Sequence, residues 1–494
     1  MLVNQTVVSG LGHLSTLIAD ESSGVAAVID PRRDVDVYLD QARAADVRIT
    51  TVVETHLHND YVSGARELAA LTGATHVIGA GAELRYEHRP LDDGDTFDVG
   101  YLRFQALHTP GHTPEHMSYA VVDASRAGEP LLLFTGGSLL VGAVGRTDLL
   151  GEANAVPYAH AMHRSLKDVL LPFADFVTVF PTHGAGSLCS TGIASTPWST
   201  IGYEKRHNPM VRPIVEGKDI EAFVQALLGH QPAFPTYFAR MRPTNQNGPA
   251  PIGARVPDPR PMDYEAARAA VANGAQLIDL RSPAAFAVQH APGALSIPAG
   301  SSFGTWLGWL VEPDRPLVLI LEDPLQWDDA VRQALRIGHE TVAGHLRGGF
   351  AAWTADGGEI EAQGRLTVRQ LADAVAAGGK DAPLVIDVRQ LTEYASGHVP
   401  GAVHLAAGDL PQRLADLPRD RPIAMVCASG YRSSVAASLV RGAGFKDVSW
   451  VAEGVPAWKA AGLPVERGEG RAAKEPAGPA AGSAATTSEP GHSH

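Results

Sequence analysis

The sequence predicts an α/β protein of several domains, and three observations predict it. From residue 1 to about 240, short apolar runs alternate with segments of helical spacing. Residues 242–262 are dense in proline and glycine. Beyond them one pattern occurs twice, 108 residues apart. A chain of 494 residues has room for two to four domains, each with its own core.

Composition narrows the function. A net charge of −14 argues against a sequence-independent nucleic-acid binder and against docking on anionic lipid. The two cysteines, Cys189 and Cys427, cannot build a disulfide framework, so a reducing cytoplasm is expected. The start, Met1-Leu2-Val3-Asn4, lacks the basic-then-apolar pattern of a signal peptide. The apolar run at 131–134 is too short to span a bilayer. No membrane partner is expected.

In chain order, Val25–Asp30 reads as a strand ending in a turn, and Val35–Ala45 as an amphipathic helix. The strand 49–54 leads into Thr55-His56-Leu57-His58-Asn59-Asp60-Tyr61, and a helical segment follows over 62–71. A strand is expected at 75–80 and another at 102–107, the latter leading to Thr109-Pro110-Gly111-His112. Strand 131–135 ends at Gly136-Gly137, and strand 176–180 ends at Pro181-Thr182-His183. Separate strand ends thus deliver His56 with His58, then His112, then His183. Ligand sites in α/β folds gather at such ends, and imidazole with carboxylate suits zinc or ferrous iron. His116 reads as an outer-layer or surface residue, His108 receives no role, and Cys189 reads as a small buried apolar residue.

Prolines 243, 249, 251, 257, 259 and 261 mark 242–262 as a linker without regular structure. After it, Leu277-Ile278-Asp279-Leu280-Arg281 is answered by Val385-Ile386-Asp387-Val388-Arg389. His290-Ala291-Pro292-Gly293 is answered by His398-Val399-Pro400-Gly401. Two copies of one parallel α/β domain are expected, at 263–362 and 365–466. Residues 467–494 are expected to be a disordered tail, and the histidines of Gly491-His492-Ser493-His494 a frayed terminus.

The set His56, His58, Asp60, His112 and His183 resembles the metallo-β-lactamase superfamily over residues 1–241. Thr109–His112 and Gly145-Arg146-Thr147-Asp148-Leu149 resemble its glyoxalase II and persulfide dioxygenase branch. The resemblance implies an αββα sandwich and a metal held by those five residues. Two family ligands are replaced, a histidine by Tyr61 and an aspartate by Gly137. That argues against a second metal and leaves one ion, Fe(II) or Zn(II), on His56, His58 and His112. A site that has lost its metal and a two-metal site stay open. Asp60, Ser138 or Tyr61 is a candidate to replace the lost aspartate.

The second repeat carries Cys427-Ala428-Ser429-Gly430-Tyr431-Arg432 between an apolar strand and a helix. A cysteine on such a turn faces loop N–H groups and a helix N-terminus, which stabilise a thiolate. Together with the Asp387-Val388-Arg389 and His398–Ala402 motifs, this loop resembles the rhodanese sulfurtransferases. The resemblance implies an α/β/α domain and a persulfide on Cys427. Ala428, Ser429, Gly430 and Tyr431 would cradle it, with Arg432 part of the anion site. Asp387 and Arg389 are expected to brace the fold. The first copy places Leu321 opposite Cys427 and Gln326 opposite Arg432, so it cannot carry sulfur. The domain order resembles fused persulfide dioxygenase–sulfurtransferases and implies a small thiol persulfide or thiosulfate as reactant. Zinc-dependent thioester hydrolysis is the alternative, and a non-catalytic N-terminal scaffold a third reading. Homo-oligomerisation is compatible with the sequence.

Overall fold

The apolar runs of the first half become two six-stranded sheets. The first contains β1 (Leu2–Val8), β2 (His13–Asp20), β3 (Val25–Ile29), β4 (Arg48–Val53), β5 (Thr75–Gly79) and β6 (Arg89–Leu91), neighbours in that order. The first two pairings are antiparallel and the remaining three parallel. The second sheet contains β7 (Thr96–Val99), β8 (Leu102–His108), β9 (Met117–Asp123) and β10 (Leu132–Gly136). A short hairpin follows, β11 (Leu139–Leu140) with β12 (Ala143–Val144). Then β13 (Thr178–Pro181) and β14 (Ser199–Thr200) complete the second sheet, in the order β14-β13-β10-β9-β8-β7. This computed structural model describes residues 1–472 apart from Ala127, His230, Pro232, Lys380, Glu469 and Gly470. Most of the expected tail, with its two terminal histidines, lies outside the described residues.

Period-two alternation explains the layering. On β3, Ala27 and Ile29 join Phe104, Tyr119 and Phe134 of the other sheet in one core. Ala26 and Val28 face the other way, onto Tyr38, Ala42 and Leu68 of the helices Asp36–Ala44 and Ala65–Thr72. On the second sheet, Leu133 and Val179 pack against Met162 and Phe223 of the helices Glu152–Arg164 and Ile220–Leu228. The result is helix, sheet, sheet, helix. Strands buried on both faces are apolar throughout, which is why they read as continuous runs.

Each later repeat forms a parallel sheet. The first orders Pro261–Met262, Val342–Leu346, Leu317–Ile320, Gln276–Asp279 and Leu295–Ser296. The second orders Gly364–Leu366, Val448–Val451, Ile423–Val426, Leu384–Asp387, Val403–His404 and Arg471–Ala472. The copies match down to single bonds. Arg281 pairs with Asp279 and donates to the Gln289 carbonyl; Arg389 pairs with Asp387 and donates to the Gly397 carbonyl. His290 stacks on Phe286 and His398 on Tyr394, at 3.9 and 3.7 Å. Register agrees too: Asp279 pairs with Ile320 and Asp387 with Val426, placing Leu321 where the second copy has Cys427.

The linker reading needs correcting. A helix runs over Phe238–Asn247 with Pro243 inside it. Proline removes one helical hydrogen bond, but side-chain anchors hold this helix in place. Asn245 accepts from the Ser63 N–H and donates to the His58 and Tyr61 carbonyls, and Arg242 makes a two-pronged pair with Glu115. Further on, the Ile252 and Gly253 N–H groups donate to Glu67. The segment is therefore part of the domain it was expected to leave. By compactness the chain divides into residues 1–362 and 363–494, so the first repeat belongs with the sandwich. Within that unit, buried Asp34 takes paired bonds from Arg336 and one from Arg332.

Candidate metal centre and cysteine loop

Four turns and loops at strand ends meet at one buried point. The turn after β4 brings His56, His58 and Asp60, and the loop after β8 brings His112 and His116. The turn after β13 brings His183, and the loop beyond it Cys189. One ligand atom each of His56, His112 and His183 lies within 4.8 Å of the others; the same holds for Asp60, His183 and Cys189. His58 joins neither group. Its Nε2 lies 3.3 Å from Asp30 Oδ1, and its ring stacks on Tyr61 at 4.4 Å. The trio gathered is thus His56, His112 and His183, where sequence reasoning grouped His56, His58 and His112.

Neighbours fix the tautomers. The Asp30 carboxylate accepts from the Thr55 N–H, the Thr55 hydroxyl and the Thr182 hydroxyl. The Thr55 hydroxyl, having donated to Asp30, accepts from His56 Nδ1 at 2.8 Å. His112 Nδ1 donates to the Arg146 carbonyl at 2.8 Å. Both rings therefore keep a bare Nε2, and that of His56 has no hydrogen-bond partner among the described residues. A ligating histidine is oriented by such a bond at its other nitrogen. Burial, then neighbouring imidazoles, hold His56 and His112 well below the ordinary histidine range, hence neutral.

Asp60 and His183 differ. Burial alone would lower His183, but Cys189 and Asp60 outweigh it and raise it well above the ordinary value. Burial pushes the Asp60 carboxyl up; His183 outweighs that and holds it low. Their closest atoms are 3.3 Å apart, yet both carboxylate oxygens and both ring nitrogens lack an aligned hydrogen bond among the described residues. An unsatisfied buried polar group costs about 1–3 kcal/mol, so the carboxylate oxygens of Asp60, with His183 giving up its proton, fit a bound cation.

Neither hydroxyl considered as a substitute ligand points at the trio. Ser138 Oγ donates to Met162 Sδ, and Tyr61 Oη to the Asp30 carbonyl. Of the two places expected for His116, behind the ligands or at the surface, it takes the first: it is buried, Nδ1 meets Thr109 and Nε2 accepts from the Gly137 N–H. Two site residues escaped sequence reasoning. His13 stacks on Tyr61 at 3.8 Å, brought there by the β1–β2 hairpin. Asp30 follows an apolar strand directly and precedes Pro31, and that was its only signal.

A metallo-beta-lactamase superfamily model matches residues 8–183, and a rhodanese-like domain model matches 263–356 and 367–461. A probable metallo-hydrolase of Burkholderia pseudomallei is 31% identical over 42% of this chain and 80% of its own length. The chain belongs to the metallo-beta-lactamase superfamily. It also carries two rhodanese-like domains. A hydroxyacylglutathione hydrolase of Dictyostelium discoideum is 25% identical over 50% of this chain and 94% of that protein. A solved metallo-beta-lactamase structure from Staphylococcus aureus is 30% identical and covers 70% of this chain and 98% of its own, with a TM-score of 0.63.

In the second rhodanese-like domain, Cys427 ends the strand Ile423–Val426 and the helix Tyr431–Gly442 begins four residues later. The Gly430 N–H donates to Cys427 Sγ at 3.2 Å, and Ser433 Oγ lies 3.4 Å from it. Gly430 has φ +87°, and a Cβ there would come within 2.3 Å of the Ala452 carbonyl oxygen, so the turn requires glycine. Cys427 is fully covered, Ala428, Tyr431 and Arg432 are half-buried, and Ser429 faces solvent. The Arg432 guanidinium grips Glu393 through two bonds of 2.6 and 2.7 Å. The first copy fills its own loop instead: Gln326 Oε1 accepts from the Glu322 and Asp323 N–H groups. Those donors are the ones an anion in this loop would need.

Proposed function

We propose that this protein is a sulfur-transfer enzyme in which Cys427 carries a sulfane sulfur, joined to a metal-dependent domain that oxidises a small thiol persulfide. The observation that carries the reading is the Gly430 N–H aimed at Cys427 Sγ at the start of a helix. That donor and the helix N-terminus stabilise negative charge on sulfur. The Cys427 thiolate attacks the outer sulfur of thiosulfate; a new S–S bond forms on Cys427, the donor's S–S bond breaks, and sulfite leaves with the electron pair. An acceptor such as cyanide then takes the terminal sulfur as thiocyanate and restores the thiolate. Arg432, held by Glu393, keeps a positive charge beside the loop.

In the first domain, His56, His112 and His183 offer the donors for one ion. The ion, when bound, supplies Lewis-acid or redox chemistry. The chain contributes the rest: Thr55 and the Arg146 carbonyl fix the two rings, and His58 Nε2 lies 3.3 Å from Asp30 Oδ1. The overall change proposed takes a thiol persulfide, dioxygen and water to the thiol, sulfite and two protons. A second reading, thioester hydrolysis, is favoured by the hydroxyacylglutathione hydrolase relative. Both place the enzyme among soluble thiols, in keeping with the expected cytoplasmic setting.

One set of assays separates these readings. Cys427→Ser is expected to cut thiocyanate formation by on the order of 10³-fold or more, since the covalent nucleophile is gone. Iron-loaded protein is expected to consume oxygen with a thiol persulfide. Hydrolysis of an acyl-thiol ester by zinc-loaded protein, with no oxygen uptake, selects the second reading. A full-length protein that retains no metal leaves Cys427 as the only catalytic site.

A further inference from the structure

We propose that Cys189 is a metal ligand, forming with Asp60 and His183 a position that offers one oxygen, one nitrogen and one sulfur donor. This rests on reading the first domain as a metal centre, and it adds a donor that sequence reasoning set aside. The three ligand atoms lie within 4.8 Å of one another. Asp60, His183 and Cys189 are 2%, 0% and 1% exposed. Proximity of a cysteine alone would mean little. The independent observation is that Asp60 and His183, whose closest atoms are 3.3 Å apart, bring to the same place two carboxylate oxygens and two ring nitrogens that make no aligned hydrogen bond among the described residues. Buried charge and lone pairs of this kind are unfavourable unless a cation takes them up.

The cysteine is also held in place. Its N–H donates to Ser187 Oγ, and its carbonyl accepts from the Arg146 N–H at 2.8 Å. The Arg146 guanidinium donates to the Leu188 carbonyl at 3.0 Å. Arg146 is the residue whose own carbonyl orients His112. One residue therefore keeps the Cys189 loop in register with the histidine trio, which shares His183 with the new set. A carboxylate and a thiolate give this set a formal charge of −2, whereas His56 and His112 are neutral donors. The anionic ligand that Gly137 does not supply thus arrives on a different loop. A thiolate donor favours zinc and other thiophilic ions over magnesium or calcium.

Only two cysteines exist, so the test is clean. Full-length Cys427→Ser protein, unaltered at the metal centre, is loaded with cobalt(II) and, separately, with zinc. A thiolate-to-cobalt charge-transfer band is expected in the near ultraviolet, and zinc X-ray absorption is expected to show one sulfur at about 2.3 Å. Cys189→Ser, with Cys427 intact, is expected to lose the band and to bind cobalt about tenfold or more weakly. Metal bound with nitrogen and oxygen donors alone overturns the role of Cys189 and leaves the metal centre standing. Absence of bound metal overturns both. The sulfur signal is read on a chain unchanged at Asp60, His183 and Cys189, so a folding defect in the Cys189 variant cannot produce it.

Discussion

Gly137 works by having no side chain. A Cβ there would lie 2.2 Å from Cδ2 and 2.7 Å from Nε2 of His112, so the ring fills the space a side chain would need. The Gly137 N–H is committed to His116. Writing the family's aspartate back in is therefore expected to push His112 aside before its carboxylate can help. Gly137→Asp and Gly137→Ala should weaken metal binding alike, by about 10–100-fold, as when a ligand loses its support. Competition against a chromophoric chelator measures this. Tighter binding in Gly137→Asp alone would show that the ring yields. The same residues mark the limit of sequence reading. The histidines were legible as metal-ligand types at strand ends. Which three converge was not, because the fold rather than the spacing sets it, and His58 Nε2 lies beside Asp30, 28 positions earlier. Nor was Cys189 legible, since its loop has no periodicity and its placement depends on Arg146.

At the scale of elements, equivalent helices of the two repeats do different work. Tyr431–Gly442 follows the Cys427 loop, whereas Gln326–Arg336 sends Arg332 and Arg336 to Asp34 of the sandwich. The repeat was legible because register and motif spacing survive in the sequence. Its use as a docking element was not, because Asp34 lies about 300 positions away and nothing local marks it. Burial pushes the Asp34 carboxyl up, but its bonds and charge contacts with Arg336, then Arg32 and Arg332, outweigh that and lower it. Its folded value thus sits below its unfolded one, near 3.9. The stability it contributes is present above that pH and is lost as pH falls through the folded value. Asp34→Asn leaves the buried Arg336 guanidinium short of a counter-charge, whereas Arg332 keeps its pairs with Asp36 and Asp328. It should destabilise residues 1–362 by about 3–5 kcal/mol at pH 7 and flatten the acid dependence below pH 4. Urea titrations at both pH values measure the difference; equal midpoints for the two proteins at pH 7 would refute it.

For the molecule as a whole, the two compact units each have their own core, and each holds one candidate chemistry. Among the described residues no helix is long and apolar enough to cross a membrane. Joining the sites in one chain raises the concentration of one site's product at the other without any new contact. It also makes their stabilities separable. A metal that binds only the folded state stabilises it by about 2.7 kcal/mol at a hundred times its dissociation constant. That gain belongs to the unit holding His56, His112 and His183, and the unit holding Cys427 receives none of it directly. Calorimetry of the full chain should show two transitions, with a chelator lowering one and leaving the other in place. Cys427→Ser, which lies in the other unit, should barely move the chelator-sensitive one. If both transitions fell together on chelation, the units would be energetically coupled, and sulfur transfer should then respond to metal loading. Independent transitions predict instead that thiocyanate formation survives complete removal of the metal.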